Sequence, residues 1–529
     1  VPSRPTRAQL GLGGAALALW LVGLVWFRPW IAHNDFAIFR IALERELSGH
    51  VRLVGAHSRL EVFHPGPLRE WVFAIPYWLS GRRAASLPAT ALVLNAGWAV
   101  WTLVVARRLR PRSWGAACAL GLLALVIALG PDLASPWNPH LAILPLYLGC
   151  WSAVTVMTRR GEGWAACICG ATFAAQLHAS ALIVGGLLLA IAPVTLALWR
   201  RNRELVLALG LGAVLWSGPL ADLRKGSDSN IVRLRTVGAD GDSVGFLTAL
   251  GHVSRLLWPG TPLGGTTVRP SVEVIAGFHR WWLMLVFVAL GSILVWSTRP
   301  ERHDDVDPEV ADVSTWRAAT GLALVLLALA VVSVSLFVEP AYRYLYGPLQ
   351  AVAVFAIAVV VGAVVATAER RSDGPWNVMH RVSTVVVPVA LVVVAVMVPR
   401  QDGPSAERRV LRVEDAVNSA LAARPAWRTV EVIPLDLRGA GDLDAEILDV
   451  VVRRGVDARS RRSELGLPAP ESVDGVFGVA MDAARHCLLA DDDAEEIIRG
   501  TTASDEPFSV IAVDRSSTVY DRCIGSPSE

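Results

Sequence analysis

Runs of about 20 residues that largely exclude charge recur along this chain, and that recurrence limits its fold more than any other feature. A bilayer core takes roughly 20 apolar helical residues, and such runs fall at about 9–30, 86–106, 114–131, 139–157, 164–177, 179–199, 204–222, 279–297, 317–338, 344–367 and 381–398. The expected class is a polytopic α-helical membrane protein of about eleven spans. The short pair between Trp164 and Trp199 reads either as two spans or as one long kinked helix. Composition agrees with the class: 53% hydrophobic, 18% charged and a mean hydropathy of +0.46 over 529 residues do not describe an ordinary soluble enzyme. The stretch "GPLREWVFAIPYWLSG", Gly66 to Gly81, is too short to span and is interrupted by Arg69, Glu70 and Pro76. It reads as an amphipathic helix lying at the interface.

Arg4 and Arg7 precede the first apolar run, which is long enough to span and lacks a small-residue cleavage site, so a retained first helix is expected rather than a signal peptide. Lys225 is the only lysine, a bias that with abundant Ala, Val and Gly suggests a GC-rich bacterial genome. The net charge of +2 gives no handle on a nucleic-acid partner, and none is expected. Short loops that carry Arg stay cytoplasmic. "RRLRPR" (107–112), "RR" (159–160), "RRNR" (200–203) and "ERR" (369–371) fall on one side when the N-terminus is cytoplasmic. The two long loops, about 31–85 and 223–278, then lie outside, as do "SPWNPH", "QLH" and "EPAYRYLYGP".

After Pro399 the apolar runs give way to mixed charge, so residues 1–399 read as the membrane domain and 400–529 as a small soluble α/β domain. "DAVNSALAAR" and "DAEILDVVVRRG" have helical spacing, and "RTVEVIP", "GVFGVAM" and "FSVIAVD" read as short strands. An odd number of spans puts this domain outside the inner membrane, where Cys487 and Cys523 can form a disulfide. Cys118, Cys150, Cys167 and Cys169 lie in spans and read as packing residues.

On this topology the polar residues of the outer rim share one side. The first loop supplies Asp35, Arg40, Arg59, Glu61 and His64, and the next rim supplies Asp132, Trp137, Asn138 and His140. Gln176 and His178 follow, then Glu339, Tyr342, Arg343, Tyr344 and Tyr346. Ionisable residues at membrane depth are costly and usually line a cavity or pathway. Each also has a plainer reading. Asp35 can be a helix-end residue, His178 a bond to a neighbouring helix, and the Tyr and Trp residues an aromatic belt. The Arg343 guanidinium needs an anion or carbonyl, which is Glu339 or a bound phosphate. Walker, dinucleotide and GxSxG patterns are absent from the sequence. Nothing demands a cofactor; a divalent metal held by Asp35 and a neighbouring His stays open, though no ligand spacing supports it.

An aspartate ending the first span, a long outer loop closing on "HPGPL", an "SPWNPH" rim, a "QLH" turn and "RYLYGPL" opening a late span resemble the GT-C superfamily of integral-membrane glycosyltransferases. The resemblance covers roughly 380 residues and is nearest the aminoarabinose-transferase and protein-mannosyltransferase-like branch. It implies a polyprenyl-phosphate sugar as donor and a cell-envelope acceptor, whether a cell-wall glycan, a glycolipid or a protein. It further implies Asp35 as general base in an inverting displacement. Arg343, with Arg59 or His64, then binds the donor phosphate. Glu61, Asp132, Trp137, Asn138, His140, Gln176, His178, Tyr342 and Tyr344 make up the substrate pocket. Many relatives have Asp-Glu where this chain has Asp35-Phe36, which leaves second-carboxylate duties to Glu61, to Asp132 or to no residue. Two alternatives are a lipid-linked-sugar flippase, which usually shows repeats or broken helices, and a non-catalytic scaffold.

Overall fold

The computed structural model describes residues 7–28, 30, 32, 35–58, 62–109, 112–158, 161–236, 243–257, 284, 289, 310–338, 342–369, 404–434, 443–454, 456–459, 475–480, 494–501 and 507–514. In chain order the helices begin with α1 (Arg7–Trp26), α2 (Asp35–Leu47), α3 (Leu68–Leu79), α4 (Ser86–Ala106), α5 (Arg112–Leu129) and α6 (Asn138–Leu141). They continue with α7 (Ile143–Thr158), α8 (Trp164–Leu177), α9 (Leu182–Leu198), α10 (Asn202–Leu215), α11 (Ser217–Asp222), α12 (Asn230–Thr236) and α13 (Phe246–Leu256). Then come α14 (Val310–Ser335), α15 (Gln350–Glu369), α16 (Pro404–Ala423) and α17 (Leu443–Arg453). The chain forms two compact units: Val1–Leu24, Arg52–Arg69 and Leu87–Pro399 in the first, and Val25–Val51, Glu70–Ser86 and Arg400–Glu529 in the second.

The first unit is the membrane bundle. Among the described residues five stretches are long and apolar enough to cross a membrane: Ser86–Ala106, Ser113–Ala134, Asn138–Thr158, Ala179–Leu198 and Thr315–Ser335. A sixth arises if Asn202–Leu215 and Ser217–Asp228, bent by 65°, count as one span. Gly13–Trp26, Trp164–Leu177 and Gln350–Val365 are apolar but shorter. The polytopic class holds, with five or six of the roughly eleven expected spans meeting the length and composition criteria. The runs 279–297 and 381–398 fall on residues outside the described set, apart from 284 and 289. The run 164–199 forms two helices: the backbone turns extended at His178 (φ −147°, ψ 126°), and Cys167 Sγ donates to the Leu188 carbonyl at 3.3 Å across the resulting hairpin.

Packing in the bundle is close where residues are small, as helix contacts in lipid require. A side chain at Gly170 of α8 would place Cβ 2.5 Å from the Pro145 carbonyl of α7. Isolated polar groups find partners on neighbouring elements: Tyr147 Oη donates to the Cys118 carbonyl at 2.8 Å, and Asn95 Nδ2 to the Leu133 carbonyl at 2.8 Å. All four cysteines of the spans are free thiols, and three of them are buried.

The second unit joins α2 and α3 to a five-stranded sheet. Its order is β2-β1-β3-β5-β4, from Thr429–Pro434 (β1), Asp457–Arg459 (β2), Gly475–Ala480 (β3), Ala494–Thr501 (β4) and Pro507–Asp514 (β5). β1 is parallel to β2 and β3, while β5 runs antiparallel to β3 and β4. The three strands read from sequence are β1, β3 and β5, which lie inside the sheet. β2 and β4 are its edges, and β4 (AEEIIRGT) carries the charge that edge strands use against aggregation, so it lacks an apolar signature. The core combines Val417, Trp427, Val430, Leu448, Val451, Phe477 and Val510 with Ile41 of α2. Burying Ile41 contributes about 1.5–3 kcal/mol. Helix α2 lies in a stretch read from sequence as loop. Its apolar face was not expected, because the core that it joins is supplied by the far end of the chain.

Arg40 and Glu44 of α2 are buried and belong to a relay of charges inside this unit. Arg82 Nη1 meets Glu44 Oε2 at 2.8 Å, and Tyr77 Oη of α3 donates to Glu44 Oε1 at 2.8 Å. Arg40 Nε reaches Tyr77 Oη at 3.5 Å, while its Nη1 pairs with Asp449 Oδ2 of α17 at 3.1 Å. Arg453 then contacts Asp449 at 3.2 Å and Glu414 of α16 at 3.0 Å. Burial opposes the Arg40 cation, but Asp449, Tyr77 and Glu414 more than reverse that and hold its pKa above the ordinary value. Burial lifts the Asp449 carboxyl above its ordinary value, with Arg40 and Arg453 pulling against it. Arg40, expected at the rim, is thus a link to the sheet domain. Helix α3 exposes Ile75, Trp78 and Leu79, an i, i+3, i+4 stripe that fits the amphipathic reading.

Candidate functional site

Two breaks in the bundle helices organise the candidate site. A helix that stops leaves backbone groups without intrahelical partners, and here side chains of the expected site residues take them up. At the end of α8 the Leu177 carbonyl accepts from Asn138 Nδ2 at 3.0 Å. The Gln176 carbonyl accepts from the Gly66 amide at 3.4 Å, and the Ala179 amide donates to His64 Nδ1 at 3.2 Å. The second break, between α10 and α11, falls just before "SGP". Pro219 has no amide to offer the Leu215 carbonyl; Gln176 Nε2 supplies that bond at 2.7 Å. Asn138 and Gln176, expected in a substrate pocket, are therefore helix-end partners in this fold. Gly66 explains the glycine of "HPGPL": a Cβ there would lie 2.0 Å from Gln176 Oε1.

Side chains around the first break form a continuous series of rings. His64 stacks on His178 at 5.0 Å, and His178 meets the edge of Tyr344 at 6.4 Å. Tyr344 contacts Trp137 at 5.2 Å and Tyr342 at 6.0 Å, and Trp137 contacts His140 at 5.1 Å. His140 Nδ1 lies 3.7 Å from Asp132 Oδ1. His64 is held well below its ordinary pKa, first by burial and then by its neighbours His178, Arg69 and His57, which favours the neutral ring. With Nδ1 accepting from Ala179, the proton of neutral His64 sits on Nε2. In that state Nε2 is the donor that His64 can offer a ligand. His178 Nδ1 accepts from the Ser180 amide at 3.3 Å and lies 2.7 Å from Ser180 Oγ, which puts its proton on Nε2 too.

Several polar atoms of this series lack hydrogen-bond partners among the described residues: His178 Nε2, Gln176 Oε1, Asp132 Oδ2 and His140 Nδ1. Other buried atoms of the described residues, among them Trp114 Nε1, Ser152 Oγ and Asp449 Oδ1, are also without partners, so what sets this region apart is that its atoms adjoin a run of aromatic faces. No group of three or more His, Cys, Asp or Glu suited to a metal occurs among the described residues.

The remaining expected residues separate. Arg343 opens the 3₁₀ turn Arg343–Tyr346 and is half-buried. Asp35 is the exposed first residue of α2, in the second unit. Arg59, Glu61, Glu339, Cys487 and Cys523 lie outside the described residues.

Sequence reasoning missed two supports. Asn230 bonds Phe63 as a strand would, accepting from its amide and donating to its carbonyl at 2.8 Å each; its own amide donates to Asp222 Oδ2 at 2.7 Å, and Lys225 pairs with Asp222 at 2.9 Å. His252 lies 2.7 Å from Tyr346 Oη and anchors the turn that carries Tyr344. Neither residue sits in a recognisable motif; only the Asp and Ser residues before Asn230 hint at a helix start.

The fold defines the class: a polytopic α-helical membrane protein with a small C-terminal β-sheet region. No family model matches the sequence, and no curated protein does. Two solved structures of ArnT from Cupriavidus metallidurans are similar to it, apo at 13% identity and bound to undecaprenyl phosphate at 14%. Each comparison covers 95% of this chain and 97% of that one, with a TM-score of 0.42. A likeness this distant decides neither activity nor residue roles.

Proposed function

We propose that this protein is a GT-C-type membrane glycosyltransferase that moves a sugar from a polyprenyl-phosphate donor to an extracytoplasmic acceptor in the cell envelope. The observation that carries the reading is the ring series His64–His178–Tyr344–Trp137–His140 with its unpaired polar atoms. Aromatic faces accept the C–H faces of a sugar, and a few fixed polar atoms meet its hydroxyls. The motif order described above supplies the superfamily. In this reading Asp35 is the base that takes the acceptor proton as the glycosidic bond breaks, and inversion at the anomeric carbon follows from direct displacement. Arg343, through its guanidinium fork, stabilises the departing phosphate with Arg59 or His64. The acceptor is a glycan, glycolipid or protein. The C-terminal domain faces outward with a Cys487–Cys523 bridge.

The test uses the full chain in nanodiscs with a panel of farnesyl-phosphoryl hexoses and pentoses and cell-envelope extract as acceptor. Asp35→Asn is expected to retain donor binding and lower transfer by about 10²-fold to 10⁴-fold, the scale of a lost general base. Parent-level turnover in that variant sinks the assignment.

One observation favours the flippase reading: the bent pair around Trp216 is the kind of discontinuity that transporters use. Movement of a fluorescent polyprenyl-phosphate sugar across proteoliposomes without transfer to any acceptor would select it.

A further inference from the structure

The buried charge relay joins the helix headed by Asp35 to the sheet domain, and its composition is unusual for a purely stabilising contact. Replacing a buried ion pair with apolar residues of similar volume is often neutral or stabilising, so such a pair is poor support for stability by itself. What it does supply is geometry: a guanidinium and a carboxylate satisfy each other over a narrow range of orientation. Helix α2 is fixed at two successive turns. Arg40 meets Asp449 at 3.1 Å beside Ile41, which is inserted into the core of the sheet domain; one turn later Glu44 is held at 2.8 Å by both Tyr77 and Arg82. Rotation or sliding of α2 would break both sets of bonds together. Asp35 sits on the same rigid helix, five residues before Arg40.

We infer that the sheet domain, through Asp449 and Arg40, sets the axial register of α2 and so positions the Asp35 carboxylate for transfer; Asp449 is a positioning residue and the domain a working part of the enzyme. This rests on the reading of Asp35 as the base. Arg40→Met combined with Asp449→Leu removes both buried charges, while Arg453 keeps Glu414, so the fold is retained. In the same nanodisc assay with the farnesyl-phosphoryl sugar panel, the double variant is expected to melt at the parent temperature and keep the parent KM for donor. Its kcat falls about tenfold or more, and the amides of α2 exchange with solvent about tenfold faster. Parent kcat in the folded double variant overturns the inference, whether or not α2 exchange changes. An equal loss in donor affinity also overturns it, because a displaced base leaves binding intact. Asp35→Asn run alongside separates the two claims. If it is inactive and the double variant is not, only the positioning role is wrong; if Asp35→Asn is fully active, the base assignment itself has failed.

Discussion

The ring series of the membrane unit and the charge relay of the second unit are both buried polar regions, yet they are built from different chemistry. In the relay, charges are matched in sequence from Arg82 to Glu414. Along the rings the side chains are mostly neutral and aromatic; His178 Nε2 and Asp132 Oδ2 are left without partners among the described residues, as is Asp449 Oδ1 in the relay. Paired charges hold a narrow geometry, whereas a run of aromatic faces offers surface to a ligand.

The contrast breaks most sharply under Asp449→Leu alone. Arg40 then stays buried without its carboxylate, and stability should fall by about 3–5 kcal/mol, read as a large drop in melting temperature in detergent; an unchanged melt would show the relay to be loose. The second test is acid. His64 binds fewer protons folded than unfolded, because its folded pKa is depressed. Its contribution is therefore intact above the unfolded value near 6.5 and is lost as pH falls below it. Between pH 7.5 and pH 5 the loss approaches about 2 kcal/mol, and His64→Phe should flatten the slope of melting temperature against pH. A third is Gly66→Ala, whose Cβ would displace Gln176 and free the Leu215 carbonyl; a cost of about 1–3 kcal/mol is expected from chemical denaturation. His178→Phe keeps the ring stack but strips the buried Ser180 amide and hydroxyl of their Nδ1 partner, so a cost of about 1–3 kcal/mol is expected there too. Transfer should fall about tenfold in that variant, and parent-level transfer would remove His178 from the pocket.

Five or six of the expected spans were legible because lipid imposes a length and a composition on each run independently. The gathering of His64, Trp137, His140, His178 and Tyr344 was legible for a related reason, since each stands next to the end of an apolar run and the expected topology assigns those ends to one side. What sequence order could not reveal was division of labour among them. Asn138 and Gln176 look like pocket residues on any list of polar rim groups. Their donors are taken by the carbonyls of Leu177 and Leu215, and only the positions of the two helix breaks reveal that. Arg40 misled more strongly: it was expected among the polar residues of the outer rim, whereas it pairs with Asp449, and its neighbour Glu44, which drew no expectation, pairs with Tyr77 and Arg82. Asn230 imitates a β-bridge to Phe63 with a side chain, for which no local pattern exists.

Ile41 also bears on how the protein is made. It belongs to a core whose other members, from Val413 to Ala512, are synthesised roughly four hundred residues later. At about 5–20 residues per second, translation separates the two by tens of seconds. During that interval α2 has been produced with Ile41 uncovered and Arg40 without Asp449, although Tyr77 and Arg82 are already there for Glu44. The helix headed by Asp35 thus cannot reach its final form until the last strands of the chain exist. Truncation before β5 would leave the apolar face of α2 without the core that it joins.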